Sequence, residues 1–168
     1  MKEKILKVRK KIAHAVYPEG TEEKRLLHRR LEIDHLTGLA NRKALDKALP
    51  EAEKNPHVAI VAVDVNNFGQ VNKVIGHEEG DRVLVRIAHV IRDAAEEFGY
   101  GERTFRRGGD EFVVLASAKL APIIATTVVK RFGTQQFEDV EVSLAAGVGA
   151  TFCDADAQLR HIKAVTKS

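Results

Sequence analysis

The sequence predicts an α/β domain with a mostly antiparallel sheet flanked by helices, and three observations predict it. From His57 to Val65 the chain is apolar on both faces, through Val58, Ala59, Ile60, Val61, Ala62 and Val63. That is the pattern of a strand buried on both sides. Leu84, Ile87, Ala88, Ile91, Ala95 and Phe98 then repeat at helical spacing, which predicts a helix from about Gly80 to Phe98. Between Thr104 and Ala116 two short strand-like runs flank Gly108-Gly109. Paired glycines between strands signal a hairpin, because both can take positive φ.

The N-terminal segment reads as helix, break, helix. Ile5, Val8, Ile12 and Val16 form one helical stripe with Lys and Arg on the other faces, and Pro18-Glu19-Gly20 interrupts it. Thr21 is a candidate N-cap, followed by Glu22 and Glu23 where the helix dipole favours acids. Leu27 and Leu31 continue an apolar stripe. The first stripe can pack on its own domain, pair with a second copy or, less readily because it lacks large aromatics, touch a membrane surface. After the hairpin, Leu120 to Phe132 reads as helix, with Pro122 tolerated in the first turn. Glu141 to Thr151 returns to strand, and Asp154 or Asp156 could cap a last helix to Lys167. Residues 1–33 are therefore read as a helical extension and residues 34–168 as one domain.

Composition narrows the function classes. The chain has 168 residues, 44% hydrophobic and 30% charged, enough for one ordinary domain with a core. No apolar run approaches the length that spans a bilayer, and no signal-like apolar region follows the basic N-terminus. Cys153 is the only cysteine, so no internal disulfide forms, which fits the cytoplasm; the residue is read as small and at least half buried, not as a reactive thiol. Met1 to Ile33 carry ten Lys/Arg against five Asp/Glu, while Asp34 to Ser168 carry seventeen against nineteen. A nucleic-acid-binding domain is more often basic across its folded body, so no nucleic-acid partner is expected.

Two acidic positions stand out. Asp64 ends the apolar strand, and Asp110-Glu111 opens another just after the glycines. A partly desolvated carboxylate needs a partner to stay charged. Side by side in a sheet, Asp64 and Asp110 would reach one cation, and hard oxygen ligands suit Mg²⁺. The competing reading makes these acids turn and cap residues. Where Asn66-Asn67-Phe68-Gly69-Gln70 turns from strand into helix, exposed backbone N–H groups can hold phosphate oxygens, although asparagines there are also ordinary turn residues. Asn72 and Asp81 together could read a guanine, the carboxylate accepting from its N1 and N2 donors.

Arg107-Gly108-Gly109-Asp110-Glu111-Phe112 is an intact GGDEF signature. Asp34-His35-Leu36-Thr37-Gly38-Leu39-Ala40-Asn41-Arg42 resembles the DxLTGLxNR opening of the same family, and Asp64 to Asp81 resembles its DxDxFKxxND…GHxxGD stretch. Three motifs in the family's order, from Asp34 to about Thr151, identify the chain as resembling a diguanylate cyclase. The resemblance implies a palm-like fold, shared in architecture with adenylyl cyclases and polymerases. It implies that Asp64 and Asp110 bind metal with the Val65 carbonyl, and that Glu111 sits beside the metals as a further acid. It implies two Mg²⁺ (or Mn²⁺) ions per active site, GTP as substrate and a homodimer for catalysis. Asn72 and Asp81 would read guanine, and the backbone of Asn67 and Phe68 would hold phosphates.

The chain departs from the family at several positions. Asn66 replaces the second acid of DxD, Gly69 the lysine after the phenylalanine, and Lys73 the acid of the ND pair. Leu159 to Val165 diverges from the usual ADxALYxAK ending; Arg160 and Lys163 are candidates to hold the triphosphate, against a solvated cationic face. Gly99 and Glu102 stand where many relatives carry an inhibitory RxxD pair, so product inhibition by that route is not expected. An active cyclase is the first reading, and a module that binds GTP or a guanine dinucleotide without turnover is the second.

Overall fold

The computed structural model of the protein describes residues 31–166. Contacts divide the chain into two units, Met1–Ile33 and Asp34–Ser168, and the sheet with its helices belongs to the second. The helix pair expected before Ile33 and the end of the last helix at Lys167 fall outside the described residues.

Six strands form one sheet in the order β1-β3-β4-β2-β6-β5. They are β1 (Ala40–Asn41), β2 (Val58–Asn66), β3 (Thr104–Gly108), β4 (Glu111–Ser117), β5 (Gln135–Phe137) and β6 (Val140–Gly149). Among these strands only the β1–β3 pair is parallel. The helices are α1 (Arg42–Lys54), α2 (Phe68–Ile75), α3 (His77–Glu96), α4 (Ala121–Phe132) and α5 (Phe152–Thr166). The α/β class and the antiparallel character agree with the sequence reading.

Alternation along β2 sets the two faces of the sheet. Val61, Val63 and Val65 join a core with α2, α3 and α4, through residues such as Val71, Ile87 and Val128. Ile60 and Ala62 join a second core with Leu45 of α1 and Ala155 and Leu159 of α5. Asp64 continues the second series, so it lies on the face that α5 covers. That packing is tight: a Cβ on Gly147 would come within 2.3 Å of the Ala155 carbonyl oxygen.

Several boundaries differ from expectation. β2 runs on to Asn66, because Asn66 still pairs with Ser143 of β6. α3 starts at His77 and not Gly80, with Glu78 and Glu79 in its first turn and Arg82 donating to both, at 3.1 and 2.6 Å. In the hairpin only Gly109 takes positive φ (51°); Gly108 stays in β3 beside a register shift, and Asp110 belongs to the turn, not to β4. α5 is preceded by Thr151, whose N–H and hydroxyl donate to Asp154 at 3.2 and 2.8 Å while the Asp154 N–H donates back to the Thr151 hydroxyl. Asp154 thus sits inside a capping box and is not itself the cap. Cys153 is exposed, contrary to the expected burial, because it occupies the outer side of the first turn of α5.

Candidate active site

Asp64 and Glu111 face each other across the β2–β4 ladder. Two carboxylates directly opposed repel unless each finds a cation. Each does. Lys163 of α5 donates to Asp64 Oδ1, and Arg107 donates to Glu111 Oε2 at 2.5 Å. The Arg107 guanidinium also lies over the Phe152 ring, 4.7 Å from its centroid, tying the start of α5 to the signature hairpin.

Asp110, in the turn beside these two acids, has its pKa raised. Burial is the main cause, reinforced by the negative charges of Asp64 and Glu111 and opposed by Lys163 and a backbone hydrogen bond. The acids are therefore crowded enough to act on one another, as a site for a hard cation requires. Among the described residues no three Asp, Glu, His or Cys side chains form a cage of their own. Two carboxylates completed by a backbone carbonyl, water and substrate phosphates is how Mg²⁺ is usually held, so the residues fit the ion. Val65, whose side chain is buried in the core, has only its carbonyl to offer.

The turn after β2 is fixed from β6. Asn67 takes the left-handed conformation (φ 63°), and its side-chain amide donates to the Glu141 carbonyl at 2.8 Å. Asn66 Nδ2 donates to Ser143 Oγ at 3.0 Å, so Asn66 is spent on the β2–β6 ladder. The first intrahelical bonds reach the Asn67 carbonyl from Gln70 and Val71, at 2.9 and 3.2 Å. The preceding N–H groups, those of Phe68 and Gly69, are helix-start donors without an intrahelical acceptor. Asn72 lies over Gly80, where a Cβ would stand 1.9 Å from its Oδ1. Asp81, the next residue of α3, is exposed.

Of the sequence-predicted residues, the structure gathers Asp64, Asp110, Glu111 and Lys163 at one end of the strands, while Asn72 of α2 lies over Gly80 of α3 and Asp81 follows as an exposed residue. Lys163 is a partner of Asp64 and not part of a solvated face. Arg160 is not brought to the acids: it is exposed and paired with Asp156 at 2.7 Å within α5. Sequence reasoning missed Arg106 and gave Arg107 no role. Arg106 donates to Asp34 Oδ1 at 3.0 Å and, through Nε and Nη2, to the Gly109 carbonyl at 3.0 and 2.8 Å. It ties the Asp34–Arg42 opening to the signature turn. Asp34 also accepts from the Thr37 N–H and hydroxyl at 2.9 and 2.7 Å. Burial works to raise its pKa but is outweighed by these bonds and Arg106, leaving it lowered. The signal for this link was the long-range pairing of an acid in one motif with an arginine beside another. Gly99 closes the α3 end and Glu102 is exposed in the next turn, so the RxxD positions hold no arginine–aspartate pair.

Residues 31–164 match the family described as "Diguanylate cyclase, GGDEF domain". A bifunctional diguanylate cyclase/cyclic di-GMP phosphodiesterase of Pseudomonas aeruginosa, MucR, is 34% identical over 137 residues, which cover 76% of this chain and 20% of that protein. An uncharacterized membrane protein of Staphylococcus haemolyticus is 33% identical over 132 residues, 70% of this chain and 36% of that protein. The chain thus spans between a fifth and about a third of these relatives. Among solved structures, the diguanylate cyclase SiaD of Pseudomonas aeruginosa, in complex with its activator SiaC, aligns with TM-score 0.67 at 28% identity, over 97% of this chain and 71% of that one. The coiled coil and GGDEF domain of DgcB from Caulobacter crescentus, in complex with c-di-GMP, aligns with TM-score 0.68 at 26% identity, over 94% of each chain. The match in sequence extends well beyond the signature to most of the chain, and the chain belongs to the diguanylate cyclase GGDEF domain family.

Proposed function

We propose that this chain condenses two GTP molecules into cyclic di-GMP with release of two pyrophosphates, in a homodimer with one GTP per subunit. The observation that carries the reading is the crowding of Asp64, Asp110 and Glu111 at adjacent strand ends, next to the helix-start N–H groups of Phe68 and Gly69. Asp64 and Asp110, with the Val65 carbonyl, would hold two Mg²⁺ or Mn²⁺ ions. Bound there, these cations supply a lowered pKa for the attacking 3′-hydroxyl and neutralise charge on the leaving pyrophosphate. Glu111 is oriented by Arg107. The backbone of Asn67 and Phe68, with the open N–H groups of Phe68 and Gly69, binds phosphate oxygens at the positive end of α2. Asn72 and Asp81 orient the guanine, and Lys163, released from Asp64, is within the site to meet the triphosphate. Each 3′-oxygen attacks the α-phosphorus of the other GTP as the bond to pyrophosphate breaks. Two such steps related by a two-fold axis yield the symmetric product. Much of the rate then comes from alignment.

A second reading, a GTP- or guanine-dinucleotide-binding module without turnover, is favoured by Asn66, which offers an amide bound to Ser143 where the family has an acid. Pyrophosphate release from GTP and Mg²⁺ separates the two. The first reading expects release that Asp110→Ala abolishes; GTP binding without release selects the second.

A further inference from the structure

The outer edge of β6 has a gap. β5 covers its beginning, pairing Gln135 with Val142 and Phe137 with Val140. Near its other end the Val148 N–H, directed away from β2, is capped by the Gln158 side chain of α5 at 2.5 Å. The unbroken β2–β6 register gives Val142, Leu144, Ala146 and Val148 the same outward direction. Leu144 and Ala146 therefore present outward N–H and carbonyl groups that no residue of the described structure meets. Leu144 is only 4% exposed, and little-exposed backbone groups are nearly always paired.

These two residues open into a groove of about 530 Å³. Ala125, Val129 and Lys130 of α4 form one wall, and Ile162 of α5 belongs to the other. The groove is apolar along Ala125, Val129 and Ile162, while Asn66, Thr126, Thr134 and Ser143 add neutral polar groups and Lys130 is its one charged residue among the described residues. Arg131 next to it is paired with Glu97, whereas Lys130 has no ion pair among the described residues. Thr126 and Lys130 also border a second hollow over α4, together with Ile123, which is 48% exposed.

We propose that this groove receives an extended segment of a partner polypeptide, which adds to the β6 edge at Leu144 and Ala146. The segment is apolar at alternate positions and carries one carboxylate toward Lys130. Its backbone answers the open groups, its successive side chains face the Val129 wall and the Ile162 wall in turn, and its charge complements the ammonium. This surface is independent of whether the chain turns over GTP.

The test is titration of ¹⁵N-labelled protein with an acetylated, amidated hexapeptide alternating valine and threonine, one threonine replaced by aspartate. Expected are shifts and exchange protection at the Leu144 and Ala146 amides, loss of both in Ala146→Pro, and about tenfold weaker binding to Lys130→Glu. Proline at 146 removes only an outward donor, as edge strands tolerate. Should that variant not fold, the exposed Lys130→Glu and a lysine-for-aspartate peptide decide, both expected to weaken binding. Unperturbed Leu144 and Ala146 amides, or binding indifferent to both charge reversals, would overturn the proposal. So would protection of the same amides rising with protein concentration without peptide, which would make a second copy the occupant.

Discussion

Asp110 bears the strongest evidence of function among single residues, since its burial and two neighbouring acids oppose its ionisation. It sits in a turn and not in the core, so Asp110→Ala should leave the circular dichroism spectrum unchanged while lowering turnover by about two orders of magnitude or more. Asp81 is exposed, and in the proposed guanine-reading role Asp81→Ala should reduce the preference for GTP over ATP by about tenfold, the worth of one charged hydrogen bond. An unchanged ratio of kcat/KM for the two nucleotides would place base reading elsewhere. Asp64, Asp110, Asn72 and Asp81 could be singled out as candidates in the sequence because each falls in a motif whose spacing survives. Lys163 was only half legible: the motif around it has diverged, and only the fold shows it reaching Asp64. Arg160 looked equivalent on charge, but its side chain is exposed and pairs with Asp156 of its own helix.

Among the elements, β2, α3, α4 and the hairpin could be read from periodicity, since each is a continuous apolar pattern of ordinary length. α1 was not, because Pro50 stands inside it and only Leu45 and Ala52 are fully buried. β1 and β5, with two and three residues, are too short to carry a pattern. Gly147 and Gly149 sit in β6 for the closeness of α5 and not for a turn. Gly147→Ala would drive a methyl into the Ala155 carbonyl and should cost about 1–3 kcal/mol in denaturant unfolding. A cost near zero would mean that α5 is free to move away. Arg106 joins the opening motif to the hairpin, with side-chain exposures of 13% for Arg106 and 24% for Asp34. Arg106→Ala should therefore cost about 1–3 kcal/mol. The lowered pKa of Asp34 adds a pH signature. Its contribution is fully present above the ordinary carboxylate value and is lost as pH falls through the lowered one. Thermal unfolding followed down through that range should show a smaller acid-induced loss in Arg106→Ala than in the parent.

For the whole molecule, the fold brings Asp64, Asp110 and Glu111 to the strand ends beside the turn into α2, and the proposed symmetric product requires two such sites facing each other. Family membership was legible because three motifs keep their order over most of the chain. What the sequence could not convey is how α5 closes over the acids, since that depends on two glycines and a register. With Gly99 and Glu102 at the RxxD positions, added cyclic di-GMP should leave the GTP rate unchanged except by competition for the substrate site. Non-competitive inhibition would reveal another product site.

The central claim, two copies joining two GTP molecules, is met most directly by incubating the purified protein with GTP and Mg²⁺ over a range of protein concentrations and resolving products by mass. The account predicts cyclic di-GMP, formed at a rate that rises more than linearly with protein concentration. Intact GTP at every concentration, with nucleotide bound but no pyrophosphate released, would contradict it.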